Sequence, residues 1–145
     1  MAIDKSKYLG KFADEGFENI SVVETLLFEI RDGSSVQDDL VTLMRALHTL
    51  KGSARMLEFR RIEKLAHALE SAFTALKEER ISLSDQGVRL ILSVLGELKN
   101  ALEQVRGAGE DPIDTEPYEK ELAALAANEE FSVPEGKGPP GVPAE

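Results

Sequence analysis

Apolar residues recur every three to four positions in four separate stripes through the first 106 residues. No segment there alternates apolar and polar with the period of two that a half-buried strand requires. The first stripe runs Tyr8, Phe12, Ile20, Val23, Leu27 and Ile30, and Asp32-Gly33 closes it with a helix C-cap signal. Ser35, with Asp38 three residues on, reads as a capping box that opens a second helix, whose core stripe is Leu40, Leu43, Leu47, Leu50 and Ala54. The third stripe is Ile62, Leu65, Ala66, Leu69, Phe73 and Leu76, and it ends in the charged run LKEER. Ser82 or Ser84 caps the fourth, which runs Val88, Ile91, Leu92, Leu95, Leu98, Leu102 and Val105. Gly87 and Gly96 each cost that helix about 1 kcal/mol relative to Ala, so its packing must compensate. Long amphipathic helices on short connections must neighbour one another antiparallel. The pattern therefore predicts an all-α fold, an up-down-up-down antiparallel four-helix bundle.

The tail is different in kind. Residues 107–145 hold ten acids against Lys120 and Lys137, and all six prolines, whereas residues 1–106 are nearly balanced in charge. The composition divides the chain into a helical bundle over 1–106, an acidic segment over 107–131 and a Pro/Gly-rich flexible linker over 132–145. Within the acidic segment, Tyr118, Leu122 and Leu125 follow Pro117 at helical spacing. They leave open a short fifth C-terminal helix, either docked on the bundle or free in the linker. A chain that stops inside a linker is expected to be the N-terminal piece of something longer.

Of the 145 residues, 42% are apolar, which argues against wholesale disorder, and none is Cys, which removes thiolate nucleophiles, disulfides and iron–sulfur clusters. No apolar run is long enough for a membrane span or a signal peptide, so the expectation is a cytoplasmic protein without a membrane partner. The net charge of −10 opposes nucleic acid, and no short recognition-helix unit is present.

The second helix departs from the pattern of core stripe and polar surface. His48, Lys51, Gly52 and Arg55 stand at i, i+3, i+4 and i+7, on one face beside the core stripe, and Gly52 occupies a helix interior where Gly is costly. An imidazole, an ammonium one turn away and a residue without a side chain together offer a nucleophile, a charge for an anion and a gap for a partner. The third helix carries His67 and Glu70 at i, i+3 on a flank that an antiparallel neighbour can bring against His48. A carboxylate accepting from Nδ1–H fixes the tautomer and leaves Nε2 basic, as a nucleophilic histidine requires.

These residues carry a resemblance. The run HTLKGSARMLEF followed by LAHALE resembles the phosphoacceptor signature of histidine phosphotransfer (HPt) domains, and its His-x-x-Glu block is similar to that of the N-terminal phosphotransfer domain of CheA-type chemotaxis kinases. The likeness covers about residues 4–106. It implies that His48 is the phosphoacceptor, that Lys51 and Gly52 are its companion Lys-Gly, and that His67 and Glu70 form the supporting hydrogen-bond network. Many members carry Gly where this chain has Glu58.

The implied chemistry is attack by His48 Nε2 on the γ-phosphoryl group of ATP, followed by donation to an aspartate of a response-regulator receiver domain. Nucleotide and Mg²⁺ would sit in a separate ATP-binding kinase domain, expected on the same polypeptide, because this chain has no Gly-rich phosphate loop. The chain would need no cofactor of its own. It would be substrate and phosphocarrier rather than kinase, and the fragment is expected to be monomeric. Between residues 45 and 64 six bases face two acids, and Arg45, Arg55, Arg60, Arg61 and the gap at Gly52 form the expected docking surface for an acidic receiver.

Two rivals keep the fold. A helical adaptor that docks a signalling partner would leave Lys51 and Gly52 without a role. A metal site on His48, His67 and Glu70 lacks the additional Glu residues and second His-bearing motif that carboxylate-bridged bundles use.

Overall fold

The computed structural model describes residues 5–33, 36–110 and 113–134. After a 3₁₀ turn at Lys5–Lys7 come five helices: α1 (Leu9–Asp32), α2 (Val36–Met56), α3 (Arg60–Lys77), α4 (Asp85–Ala108) and α5 (Glu116–Ala126). Strands are absent among the described residues. α1 packs against α2 and α4, α2 against α3, and α3 more lightly against α4, which closes the antiparallel bundle; α5 lies chiefly along α3. The apolar spacing explains the roll of each helix. Leu40, Leu43, Leu47, Leu50 and Ala54 are all sealed from solvent, as are Ile62, Leu65, Leu69 and Phe73 opposite them.

Several details differ from the sequence reading. Tyr8 is not in the α1 stripe: it stands at the N-cap position, 47% exposed, and the helix begins after it. Leu76 and Leu92 are only partly buried. Ser84 rather than Ser82 caps α4, its side chain accepting the Gly87 N–H at 3.0 Å. The capping box proposed at Ser35 lies outside the described residues. Gly16, which no stripe included, is buried where α1 crosses α4. A Cβ there would stand 2.8 Å from Leu102 Cδ1, so the approach of the two helices uses the missing side chain. Glu24–Lys99 at 2.8 Å and Asp14–Arg106 at 2.7 Å bridge the same pair of helices.

The packed core reaches past Arg106. α4 continues to Ala108, and Ile113, Tyr118, Leu122 and Leu125 are buried, with Phe131 and Val133 packed partly against them. The fifth helix is therefore docked. The side of α3 that flanks the predicted stripe is covered as well, Ala72 and Ala75 both being buried.

Three helices end in the same way. Phe59 N–H reaches the Ala54 carbonyl (2.8 Å) while Glu58 N–H reaches that of Arg55 (3.1 Å). The pair recurs as Arg80 to Ala75 with Glu79 to Leu76, and as Glu129 to Ala124 with Asn128 to Leu125. This double bond is the Schellman turn, and it needs a left-handed residue. Here that residue is Glu58 (φ 65°), Glu79 (φ 60°) or Asn128 (φ 59°). Glycine would adopt this conformation without the Cβ penalty. Replacing Glu79 with Gly is accordingly expected to stabilise the fold by roughly 0.5–1 kcal/mol, relief of strain exceeding the added entropy of the unfolded chain. A urea midpoint at or below that of the parent, with an unchanged slope, would refute the assignment of strain.

Candidate functional site

The buried stripe of α2 leaves His48, Lys51, Gly52 and Arg55 on the flank that faces α3. The stripe of α3 in turn sets Glu70 on the edge nearest α2. His48 is 72% exposed, whereas Lys51 and Glu70 are 23% and 18% exposed. A mostly buried ion pair thus stands beneath a ring that solvent and partners can reach. Glu70 Oε2 is 3.6 Å from His48 Nδ1, and Glu70 Oε1 is 2.9 Å from Lys51 Nζ.

The first distance is too long for a hydrogen bond, so the carboxylate acts on the imidazole as a nearby charge. The second is short, but no donor is aligned on Oε1, so the Lys51 contact is ionic rather than a directed hydrogen bond. Positive charge developing on the ring would be offset by Glu70 at its Nδ1 side. Among the described residues no protein group is bonded to Nε2. Lys51 is held one turn from the ring, where it could meet an anionic reactant.

Gly52 has no internal reason to be glycine. A Cβ added there would meet nothing within 4 Å, and Gly52 is exposed. The open space lies on the outer side, next to His48.

The remaining predicted residues are distributed unevenly. His67 is exposed, and no hydrogen bond or ion pair joins it to Glu70 or His48; of the two residues expected to support His48, the structure brings Glu70 beside it, together with Lys51. Instead His67 lines a polar groove on the outer side of α3 with Arg55, Arg60 and Lys64. Arg45 is exposed, and its backbone carbonyl accepts a hydrogen bond from Thr49 Oγ1 at 2.9 Å. Arg55 Nε lies 3.9 Å from Glu63 Oε2, a loose surface contact. Arg61 serves the fold: its Nη1 donates to the Ile113 carbonyl at 3.1 Å, bracing the connection from α4 to α5.

A second feature had no signal in the sequence. Between the start of α1 and the end of α2 lies an apolar groove of about 310 Å³, lined by Tyr8, Phe12, Met56 and Leu57 among others, with Met56 70% exposed. Phe12 stacks on Phe59 beneath it, ring centroids 5.3 Å apart. On α2 it extends to Ser53, the residue after Gly52. Only the tertiary pairing of α1 with α2 brings these side chains together, and so periodicity along one helix could not reveal it.

Among the described residues no three His, Cys, Asp or Glu side chains gather closely enough to hold a metal ion. Among the described residues no helix is long and apolar enough to cross a membrane.

Comparison with known proteins gives a consistent picture. The model of the family described as "Hpt domain" matches residues 7–108. The chain is 27% identical over 100 residues to the chemotaxis protein CheA of Borreliella burgdorferi, covering 69% of this chain and 12% of that protein. With CheA of Treponema pallidum it is 26% identical over 133 residues, 92% of this chain and 16% of that one. The chain thus spans well under a fifth of the length of these curated relatives. Among solved structures, the phosphorylated P1 domain of CheA3 from R. sphaeroides, in complex with CheY6, superposes with a TM-score of 0.74. Its sequence is 22% identical, and the match covers 85% of this chain and 98% of that one.

Proposed function

The chain belongs to the Hpt domain family, and we propose that it is the phosphotransfer domain of a chemotaxis-type histidine kinase in which His48 carries the phosphoryl group. The observation that carries this reading is the Lys51–Glu70 ion pair, mostly buried, beside the one largely exposed ring nitrogen system of α2.

In the forward step the Nε2 lone pair forms the N–P bond while the bond from phosphorus to the bridging oxygen breaks and ADP leaves. Glu70 offsets the charge on the imidazolium so formed, and Lys51 offsets charge on the phosphoryl oxygens. A separate kinase domain, expected on the same polypeptide, holds ATP and Mg²⁺. In the second step an aspartate carboxylate of a receiver domain attacks phosphorus and His48 leaves as the neutral base. The receiver approaches over Gly52, with Arg45, Arg55 and Arg60 opposite its carboxylates and its apolar surface in the Tyr8–Met56 groove. Arg61, engaged with Ile113, is left out of that set. Such a protein works in the cytoplasm.

Treatment of the purified chain with phosphoramidate tests the reading without any partner. An acid-labile, alkali-stable phosphoryl group mapped to His48 by mass spectrometry is expected, and a label on His67 alone would refute it. Lys51→Ala and Glu70→Ala are each expected to slow labelling by roughly tenfold or more while leaving the helical spectrum unchanged, because both side chains lie off the core stripes. Unchanged rates in both would remove the network.

A further inference from the structure

α5 is seated with its acidic end beside the bases of α3. Tyr118, Leu122 and Leu125 are buried, and the Tyr118 hydroxyl lies near Ser93 and Glu97 of α4. Burial first, and the Glu97 carboxylate second, push this phenol up to about 12. With the Arg61 brace on Ile113, these contacts fix where the helix begins. At that start stand Asp114, Glu116 and Glu119. Glu119 shares the walls of the outer groove of α3 with Arg55, Arg60, Lys64 and His67. Asp114 and Glu116 share an adjoining groove with Arg61 and Lys64. Across the two grooves four fixed cations meet five carboxylates, three of which come from the entry and first turn of α5.

None of these three acids is ion-paired with Arg55, Arg60 or Lys64. Glu119 Oε2 accepts from Thr115 Oγ1 at 2.6 Å, and Asp114 Oδ1 accepts from the Glu116 N–H at 3.3 Å. Their effect on the face is consequently through space. The outer groove reaches from Arg55, two turns from His48 on the same flank, to His67, one turn from Glu70. The acids therefore act on the face where the phosphoryl group would arrive.

We infer that the start of α5 is an electrostatic screen built into the fold, which lowers the positive potential of the phosphotransfer face. This inference rests on the phosphotransfer reading given above. With α5 docked, the face is a mosaic of both signs rather than a uniform basic patch. It slows anionic reactants in general and favours a partner that carries basic groups opposite α5 as well as carboxylates opposite Arg55 and Arg60.

The test uses the whole chain and phosphoramidate, an anionic phosphoryl donor. The variant Asp114→Asn, Glu116→Gln, Glu119→Gln keeps the capping acceptors and removes three charges. At about 10 mM salt, where the screening length is roughly 30 Å, it is expected to label His48 about two- to fourfold faster than the parent; at about 1 M salt the rates converge. A control with Glu103→Gln, Glu129→Gln and Glu130→Gln changes the net charge equally at sites away from these grooves and is expected to give less than half that gain. Hydrogen exchange at Tyr118 and Leu122 checks that α5 stays docked in both variants. Equal rates for parent and triple variant, or equal gains in variant and control, would overturn the screen. Absence of label on His48 in every protein would instead refute the phosphotransfer reading.

Discussion

The His48→Gln protein takes up no acid-labile phosphoryl group, its labelling rate falling by on the order of a thousandfold or more, while its thermal midpoint stays within about 1 °C of the parent. The two halves of this expectation have separate causes. Loss of labelling follows because glutamine offers an amide in place of a basic ring nitrogen, and removing the nucleophile removes the step rather than slowing it. Preservation of the fold follows from exposure: a side chain that is 72% exposed on a helix flank contributes little packing, and Gln is a good helix former. Labelling by phosphoramidate followed by phosphorus NMR, with a melt monitored by circular dichroism, reads both. Retained labelling in this variant would transfer the role to another residue, and His67 would be the one to examine. A helical adaptor, by contrast, would keep its partner binding in His48→Gln, so a pull-down with the same variant separates docking from chemistry.

How much of this was legible before the structure depends on which physical signal each feature carries. The cores of α2 and α3 were readable because Leu40, Leu43, Leu47 and Leu50, like Ile62, Leu65 and Leu69, repeat at the helical period with large side chains. All of these are buried. The approach of Glu70 to His48 was readable because short connections force α2 and α3 to be antiparallel neighbours. The docking of α5 was left open for lack of a comparable signal on its seat. Ala72 and Ala75 are too small to raise the apolar periodicity of α3, yet both are buried.

Helix ends show the same dependence. Gly33 announces the end of α1, and the structure puts it at φ 88°. Glu58, Glu79 and Asn128 do the same work at α2, α3 and α5 without a glycine to mark them. At Glu58, where the family resemblance expects Gly, the backbone keeps the left-handed turn that Gly would favour. His67 and Arg61 were placed in the site by sequence position and by resemblance. Arg61 is instead drawn to the Ile113 carbonyl and His67 lines a groove shared with Glu119 of α5, a neighbourhood that only the fold reveals.

The Leu69→Asp protein is expected not to fold. Leu69 is fully buried in the centre of α3, among the residues that face α2 across the core. The substitution removes a large apolar side chain, a loss of about 2–5 kcal/mol for Leu to Ala alone. It then adds a carboxylate that is either ionised without a partner or protonated at a cost that grows with pH, several kcal/mol more near neutrality. The sum rivals the whole stability of a domain of this size, roughly 5–15 kcal/mol. Circular dichroism at pH 7 should show loss of helix. Acidification toward pH 4 should recover part of it, because the folded state would bind a proton that the unfolded state does not, which makes stability fall as pH rises. Leu69→Met, which conserves volume, should stay folded with a loss below about 1.5 kcal/mol. A cooperative, fully helical Leu69→Asp protein at pH 7 would mean that this face of α3 is not core. The roll of α3, which carries Glu70 to His48, would then be wrong as well, so this single substitution tests the scaffold and the geometry of the site together.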